Sequence, residues 1–333
     1  MPRLSHQAGL VASLPGMNGA QGDYGLSDGR WLEIEWTPLI RRIELESDLG
    51  RSEVEYVSVG EGPAILLIHG LAGSWRNWLE NIPRLADRHR VVALDLPGFG
   101  ASPMPEREIT MPGYGSVITE LARELGLPHD TVLVGHSMGG VVTTEALLRS
   151  PDAFAGASLV AAAGPGATRT PDSTEEFAQR LVSLYRGLPA VDPARGLSRR
   201  RLRTAQLAAV IAHPGKVGTE ILWELLSWGA RPPGLAQAAL ALGRLDGREA
   251  LSEIDQPVLL LWGTRDLLVP LKIAYAYQRR LPDSELVVLQ DTGHMIQMER
   301  PGRFNREVEE FVREVTGGGD EATQALLEPP DGR

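Results

Sequence analysis

Residues 131–140 read Thr-Val-Leu-Val-Gly-His-Ser-Met-Gly-Gly and run on into Val141-Val142-Thr143-Thr144-Glu145-Ala146-Leu147-Leu148. An apolar strand breaks at Ser137 and a helix begins at once. So abrupt a turn strains the backbone at its apex, and the residues two before and two after must lack bulk for strand and helix to approach. Gly135 and Gly139 meet that demand. The turn lifts the Ser137 hydroxyl out of the sheet and aims the Met138 amide into the same space, at the positive end of a helix dipole. A nucleophile and an anion-stabilising donor therefore come from one turn.

Around this turn, short aliphatic or β-branched runs predict strands at 40–45, 54–59, 64–68, 91–94, 131–134, 158–161, 258–262 and 286–289. Several of the middle and late runs are continuously apolar, as strands covered on both faces of a parallel sheet must be. Helical spacing fills the gaps at 75–85, 114–125, 141–148, 273–281 and 304–315. Alternating strands and helices imply right-handed crossovers and an α/β fold with an eight-stranded, mostly parallel sheet flanked by helices. The first two strands, joined by a short turn at Gly50, read as an antiparallel edge.

The alternation stops between 165 and 253, where helical periodicity continues without a strand; this segment reads as a helical cap inserted after strand six. It would cover the carboxyl ends of the strands, where open α/β sheets place their sites. The expected core is then 29–164 plus 254–316, preceded by a loosely ordered arm at 1–28 and followed by a disordered tail at 317–333. Trp31 and Trp36 argue that part of the N-terminal region docks on the body.

Composition removes whole classes of chemistry. The 333 residues carry a formal charge of -10, which opposes a nucleic-acid surface. Without a cysteine there is no disulfide, thiolate nucleophile or cysteine-ligated zinc. No H-E-x-x-H pair is present, and no metal or other cofactor is expected. Gly98-Phe99-Gly100 lacks the third glycine of a dinucleotide fingerprint, and Pro103 and Pro105 block the helix it would need. No apolar run approaches the roughly 18 residues of a membrane span, and residues 1–16 lack a signal h-region, so a cytoplasmic location is expected. Arg195, Arg199 and Arg203, with Arg200 and Arg201 between them, read as a solvated helix face. Oligomeric state is not legible.

A serine hydroxyl needs a histidine to take its proton, and that histidine needs a carboxylate to fix its tautomer and stabilise its cation. Of seven histidines, His294 follows the last strand on a loop that opens at the same sheet edge as Ser137. His89 and His129 precede strands and belong to the opposite edge, His6 lies in the arm and His213 in the insertion. For the carboxylate, strand seven ends in Gly263-Thr264-Arg265-Asp266, whereas the slot after strand six offers no acid. Asp266 is the candidate, and Asp291 reads as a loop-capping carboxylate. A second oxyanion donor comes from Ile68-His69-Gly70-Leu71-Ala72-Gly73-Ser74, with the Leu71 amide first and Ala72 behind it. Candidate substrate-pocket residues are His69, Gly70, His136, Trp223, Trp228 and Met295; the two cap tryptophans either line an acyl pocket or pack the cap onto the body.

These motifs closely resemble the α/β-hydrolase family, over residues 40 to 315. The resemblance rests on His69-Gly70, on Asp95-Leu96-Pro97-Gly98-Phe99-Gly100 after strand four, on the elbow, and on the acid and histidine loops. It implies a canopy-capped hydrolase with a triad in the order Ser137, Asp266, His294. Members similar to dehalogenases or epoxide hydrolases carry aspartate where this chain has Ser137, which disfavours those chemistries. His136 differs from the Phe or Asn of members similar to cofactor-free haloperoxidases or carbon–carbon bond hydrolases. The His-Ser-Met triplet looks most like serine carboxylesterases and lipases. The expected activity is cleavage of a small to medium carboxylic ester through an acyl-enzyme. A carbon–carbon bond hydrolase, a thioesterase or amidase, an acyltransferase, and a non-catalytic ligand receptor are the alternatives.

Overall fold

The computed structural model describes residues 22–164, 207–228, 232–244 and 250–317. Eight strands form one sheet: β1 (Ile40–Ser47), β2 (Gly50–Val59), β3 (Ala64–Ile68), β4 (Arg90–Leu94), β5 (Val132–His136), β6 (Gly156–Val160), β7 (Val258–Gly263) and β8 (Ser284–Leu289). Their order is β1-β2-β4-β3-β5-β6-β7-β8. From β4 across to β8 all neighbours are parallel, while β2 runs antiparallel to both β1 and β4. Gly50 takes the left-handed φ of 73° that closes the β1–β2 turn.

The helices are α1 (Ile82–Leu85), α2 (Met111–Glu124), α3 (Met138–Arg149), α4 (Thr219–Trp228), α5 (Leu235–Arg244), α6 (Lys272–Gln278), α7 (Ile296–Glu299) and α8 (Pro301–Val315). Period-two alternation sends successive strand residues to opposite faces. Leu66, Ile68, Leu133, Leu260 and Trp262 pack on one side with Tyr114 and Val117 of α2 and Val142 of α3. Ile65, Leu67, Val132, Val134 and Leu261 pack on the other with Phe304, Val308 and Val312 of α8. A sheet covered on both faces explains why its central strands are uniformly apolar.

The helix expected at 75–85 is broken in two. Trp75–Trp78 forms a 3-10 turn closed by a capping box, in which Asn77 Oδ1 accepts the Ser74 amide at 2.7 Å, and α1 begins only at Ile82. Pro83 supplies no N–H and its ring excludes a helical carbonyl four residues earlier, so one continuous helix cannot cross this point.

Between β6 and β7 the described residues hold α4, α5 and short 3-10 turns, with no strand among them. They lean on the core: the Gly234 amide donates to the Gly98 carbonyl at 2.9 Å, and Arg76 meets Glu224 at 3.9 Å. The arginine row at 195–203 lies outside the described residues. At the N-terminus Tyr24 and Trp31 are buried, and Trp36 packs against Trp75 with ring centroids 5.3 Å apart. Among the described residues no helix is long and apolar enough to cross a membrane.

Candidate active site

Ser137 stands between β5 and α3 with φ 55° and ψ -116°, a region costly for any residue with a Cβ. Its peptide groups are pinned on both sides: Ser137 N–H donates to the Val160 carbonyl at 2.9 Å, and its carbonyl accepts from Gly140 and Ala163 at 3.0 Å each. The flanking glycines are sterically required. A Cβ at Gly135 would lie 2.3 Å from the Gly139 carbonyl oxygen, and one at Gly139 would lie 2.2 Å from that of Ile68. Met138 is the first residue of α3, where an amide has no acceptor within the helix.

The loop after β3 abuts the serine. A Cβ on Gly70 would sit 3.0 Å from Ser137 Cβ and 3.0 Å from His136 Nδ1. His69 holds this loop. The Leu96 amide donates to its Nε2 at 2.9 Å, so Nδ1 carries the proton and donates to the Gly70 carbonyl at 2.7 Å. The Gly73 amide donates to the same carbonyl at 3.0 Å. Because a trans peptide points its C=O and N–H opposite ways, fixing the Gly70 carbonyl also fixes the direction of the Leu71 amide. His69 is fully buried, and burial pushes its imidazole down to about 4, which keeps it neutral. Asp95 braces the other end of the loop by accepting from the Trp75 amide at 2.7 Å and the Ala101 amide at 2.8 Å. Burial pushes the Asp95 carboxyl up to about 7 against those two donors.

Asp266 follows β7 and its side chain is wholly buried. One oxygen, Oδ1, accepts from the amides of Leu268 and Val269 at 2.9 and 2.8 Å. The other, Oδ2, meets His294 Nδ1 at 2.8 Å. An ionised carboxylate only accepts, so Nδ1 is the protonated nitrogen and Nε2 is left with a lone pair. The amides of His294 and Met295 both donate to the Val210 carbonyl, at 3.0 and 3.1 Å, which ties this loop to the segment between β6 and β7.

Of the remaining candidate pocket residues, Met295 is buried, and Trp223 on α4 is 40% exposed. Trp228 is the last residue of α4. His136 is buried, and its ring lies 4.7 Å from that of His294. Burial, together with the charge on a protonated His294, holds its pKa well below the ordinary value. Asp291 faces elsewhere: its carboxylate meets His213 Nε2 at 2.7 Å and Arg265 at 3.0 Å. The residue that sequence reasoning missed is Glu299, whose carboxylate accepts from the amides flanking His294. Gly293 and Met295 lie six and four positions before it, but its other two donors, Tyr24 and Ala212, are distant in the chain, and nothing in the sequence signals them.

A strand–turn–helix serine, a glycine loop beside it and a buried Asp–His pair at the carboxyl edge of one mostly parallel sheet belong to the α/β-hydrolase class of fold. The chain belongs to the α/β-hydrolase family, whose profile, described as the alpha/beta hydrolase fold, matches residues 63–301. Over 259 residues it is 30% identical to the dihydrolipoyllysine-residue acetyltransferase component of the acetoin cleaving system of Pseudomonas putida, covering 76% of this chain. The chain spans 64% of that relative's length, just under two thirds. It is 29% identical over 259 residues to the pimeloyl-[acyl-carrier protein] methyl ester esterase of Aeromonas hydrophila, covering 76% of this chain and 96% of the esterase. Among solved structures, a thermophilic esterase from Thermogutta terrifontis superposes with a TM-score of 0.70 at 26% identity, covering 83% of this chain and 99% of that one.

Proposed function

We propose that the protein is a serine hydrolase that cleaves a small to medium carboxylic ester through an acyl-enzyme. The observation that carries this reading is the buried 2.8 Å contact between His294 Nδ1 and Asp266 Oδ2 at the sheet edge that bears Ser137. It leaves Nε2 as a base and a carboxylate behind it to stabilise the cation. In this reading Ser137 Oγ attacks the acyl carbon while His294 Nε2 takes its proton. The Met138 and Leu71 amides hold the oxyanion, a contribution of about 3 kcal/mol per donor. The tetrahedral intermediate collapses as His294 returns the proton to the departing alcohol. Water then attacks the acyl-Ser137 ester, passing its proton through His294, and the carboxylic acid leaves.

The helical residues between β6 and β7 act as the cap, Met295 with Gly70 and His136 borders the acyl site, and Trp223 on the cap either lines that site or packs the cap onto the body. The esterases among the similar proteins support hydrolysis of an ester. The acetyltransferase component supports a second outcome, capture of the acyl group by an acceptor other than water. Fluorophosphonate labelling of the native protein and of Ser137→Ala, followed by a p-nitrophenyl ester series with and without acceptor alcohol, tests the reading. Labelling that vanishes with Ser137 and an optimum in acyl length are expected. Unchanged ester turnover in Ser137→Ala would sink it.

A further inference from the structure

Glu299 is fully buried, and four donors converge on its carboxylate. Oε1 accepts the Met295 amide at 3.1 Å. Oε2 accepts the Gly293 amide at 2.9 Å, the Ala212 amide at 3.0 Å and the hydroxyl of Tyr24. Gly293 and Met295 are the two neighbours of His294 in the chain, so this one side chain holds the peptide units on both sides of the imidazole. A Cβ on Gly293 would stand 2.8 Å from Glu299 Oε1 and 2.7 Å from the Ala212 nitrogen, so only glycine lets the carboxylate come this close.

The next residue works on the same loop. Arg300 Nε donates to Thr292 Oγ1 at 2.7 Å, one of its terminal nitrogens donates to the Gln290 carbonyl at 3.0 Å, and the other pairs with Asp23. The N-terminal arm closes the assembly. The Gly25 amide donates to the Glu299 carbonyl at 2.7 Å, and the Tyr24 hydroxyl, while donating to Glu299, accepts the His213 amide at 2.9 Å. Three consecutive arm residues, Asp23, Tyr24 and Gly25, thus fasten two consecutive residues that grip the loop at 290–295.

We propose that Glu299, locked by Tyr24 of the arm, is a positioning residue for His294, setting where the imidazole stands relative to Ser137. The proposal rests on reading His294 as the base. Hydrogen bonds to an ionised acceptor are stronger than neutral ones, and here they act on the peptide units that carry the imidazole. Displacing a reacting group by about 1 Å costs on the order of a hundredfold in rate. Burial raises the pKa of Glu299 while its donors pull it back.

Two full-length variants test it. Glu299→Gln turns one oxygen into a donor that must face at least one backbone N–H. Tyr24→Phe keeps the ring and removes only the hydroxyl, and it serves where Glu299→Gln folds poorly. The first readout is the low-field proton resonance of His294 Nδ1, identified by its loss in His294→Ala and its retention in Ser137→Ala. The second is kcat and KM on a p-nitrophenyl ester, normalised to the fluorophosphonate-labelled fraction.

Expected are a shifted or broadened resonance in both variants and kcat lowered about a hundredfold in Glu299→Gln and about tenfold in Tyr24→Phe, with KM within about threefold. Native resonance and native kcat per labelled site in folded variants, with only the melting temperature lowered, would overturn it. Should the native protein resist labelling, the serine reading fails, yet the resonance still decides this proposal. A resonance unchanged in both variants refutes the clasp, and one displaced in both upholds it.

Discussion

His136 donates its Nε2 proton to the carbonyl of His294 at 3.0 Å, linking the residue beside the nucleophile to the residue proposed as its base. Their rings lie 4.7 Å apart, and His136 stays neutral, so it does not compete for the proton His294 would carry. His136→Phe keeps an aromatic ring but leaves the His294 carbonyl without this donor. Losing about 1 kcal/mol of support lowers kcat by about fivefold. Because His136 does not titrate in the working range, the pH midpoint of kcat is expected to stay where it is, and steady-state kinetics across pH checks both points.

Asp266→Asn separates geometry from electrostatics. Asparagine Oδ1 can still accept the Leu268 and Val269 amides, which hold the loop at 2.9 and 2.8 Å in the native chain. Its NH2 then faces His294 Nδ1 and drives the imidazole proton to Nε2, the nitrogen that must accept from Ser137. A loss of about ten-thousandfold in kcat with an unchanged circular dichroism spectrum is the expected result.

Ser137 carries strain that glycine would release. Its φ of 55° with ψ -116° is a region essentially reserved for glycine, with a cost of order 1–3 kcal/mol. Ser137→Gly is expected to be about 1 kcal/mol more stable than Ser137→Ala, net of the greater chain entropy of unfolded glycine. Urea unfolding of the two inactive variants measures the difference directly.

His69 makes the fold sensitive to acid. Its imidazole titrates at about 4 in the folded protein against an ordinary value of 6.5, so protons favour the unfolded chain. The stability it contributes is present above 6.5 and is lost as pH falls toward 4, amounting to about 3 kcal/mol. Asp95 works the other way: with a folded value of about 7 it binds protons better when folded, and its contribution is lost as pH rises through 7. In His69→Gln the drop in urea-unfolding free energy between pH 7 and pH 4 is expected to be smaller than in the native protein by about that 3 kcal/mol.

What was legible in the sequence was what depends on local pattern. The apolar runs at 64–68 and 258–262 mark β3 and β7 because both faces of those strands are covered. The elbow glycines announce a close approach that the structure explains by the carbonyls of Gly139 and Ile68. Asp266 and His294 were reachable because each follows a strand and so falls at the carboxyl edge. Illegible was everything that depends on distant contact. Glu299 meets a tyrosine 275 positions away. His69, a candidate pocket residue by position, has both nitrogens engaged by backbone groups, one of them 27 positions on. The split of the helix at 75–85 required weighing Ser74, Asn77 and Pro83 against a strong helical period.

The family profile begins at 63 and ends at 301, whereas the unit that holds itself together is larger at both ends. Cutting the gene at those limits would strip β2 from the flank of β4 and leave a bare row of amides and carbonyls there. It would remove Phe304, Val308 and Val312 from one face of the sheet. It would also discard Tyr24, leaving the Glu299 carboxylate with one donor fewer and the loop around His294 unfastened from the arm. An excised core of that length would be a fragment with raw edges, and expression work on this chain should retain Asp23, Tyr24 and Gly25.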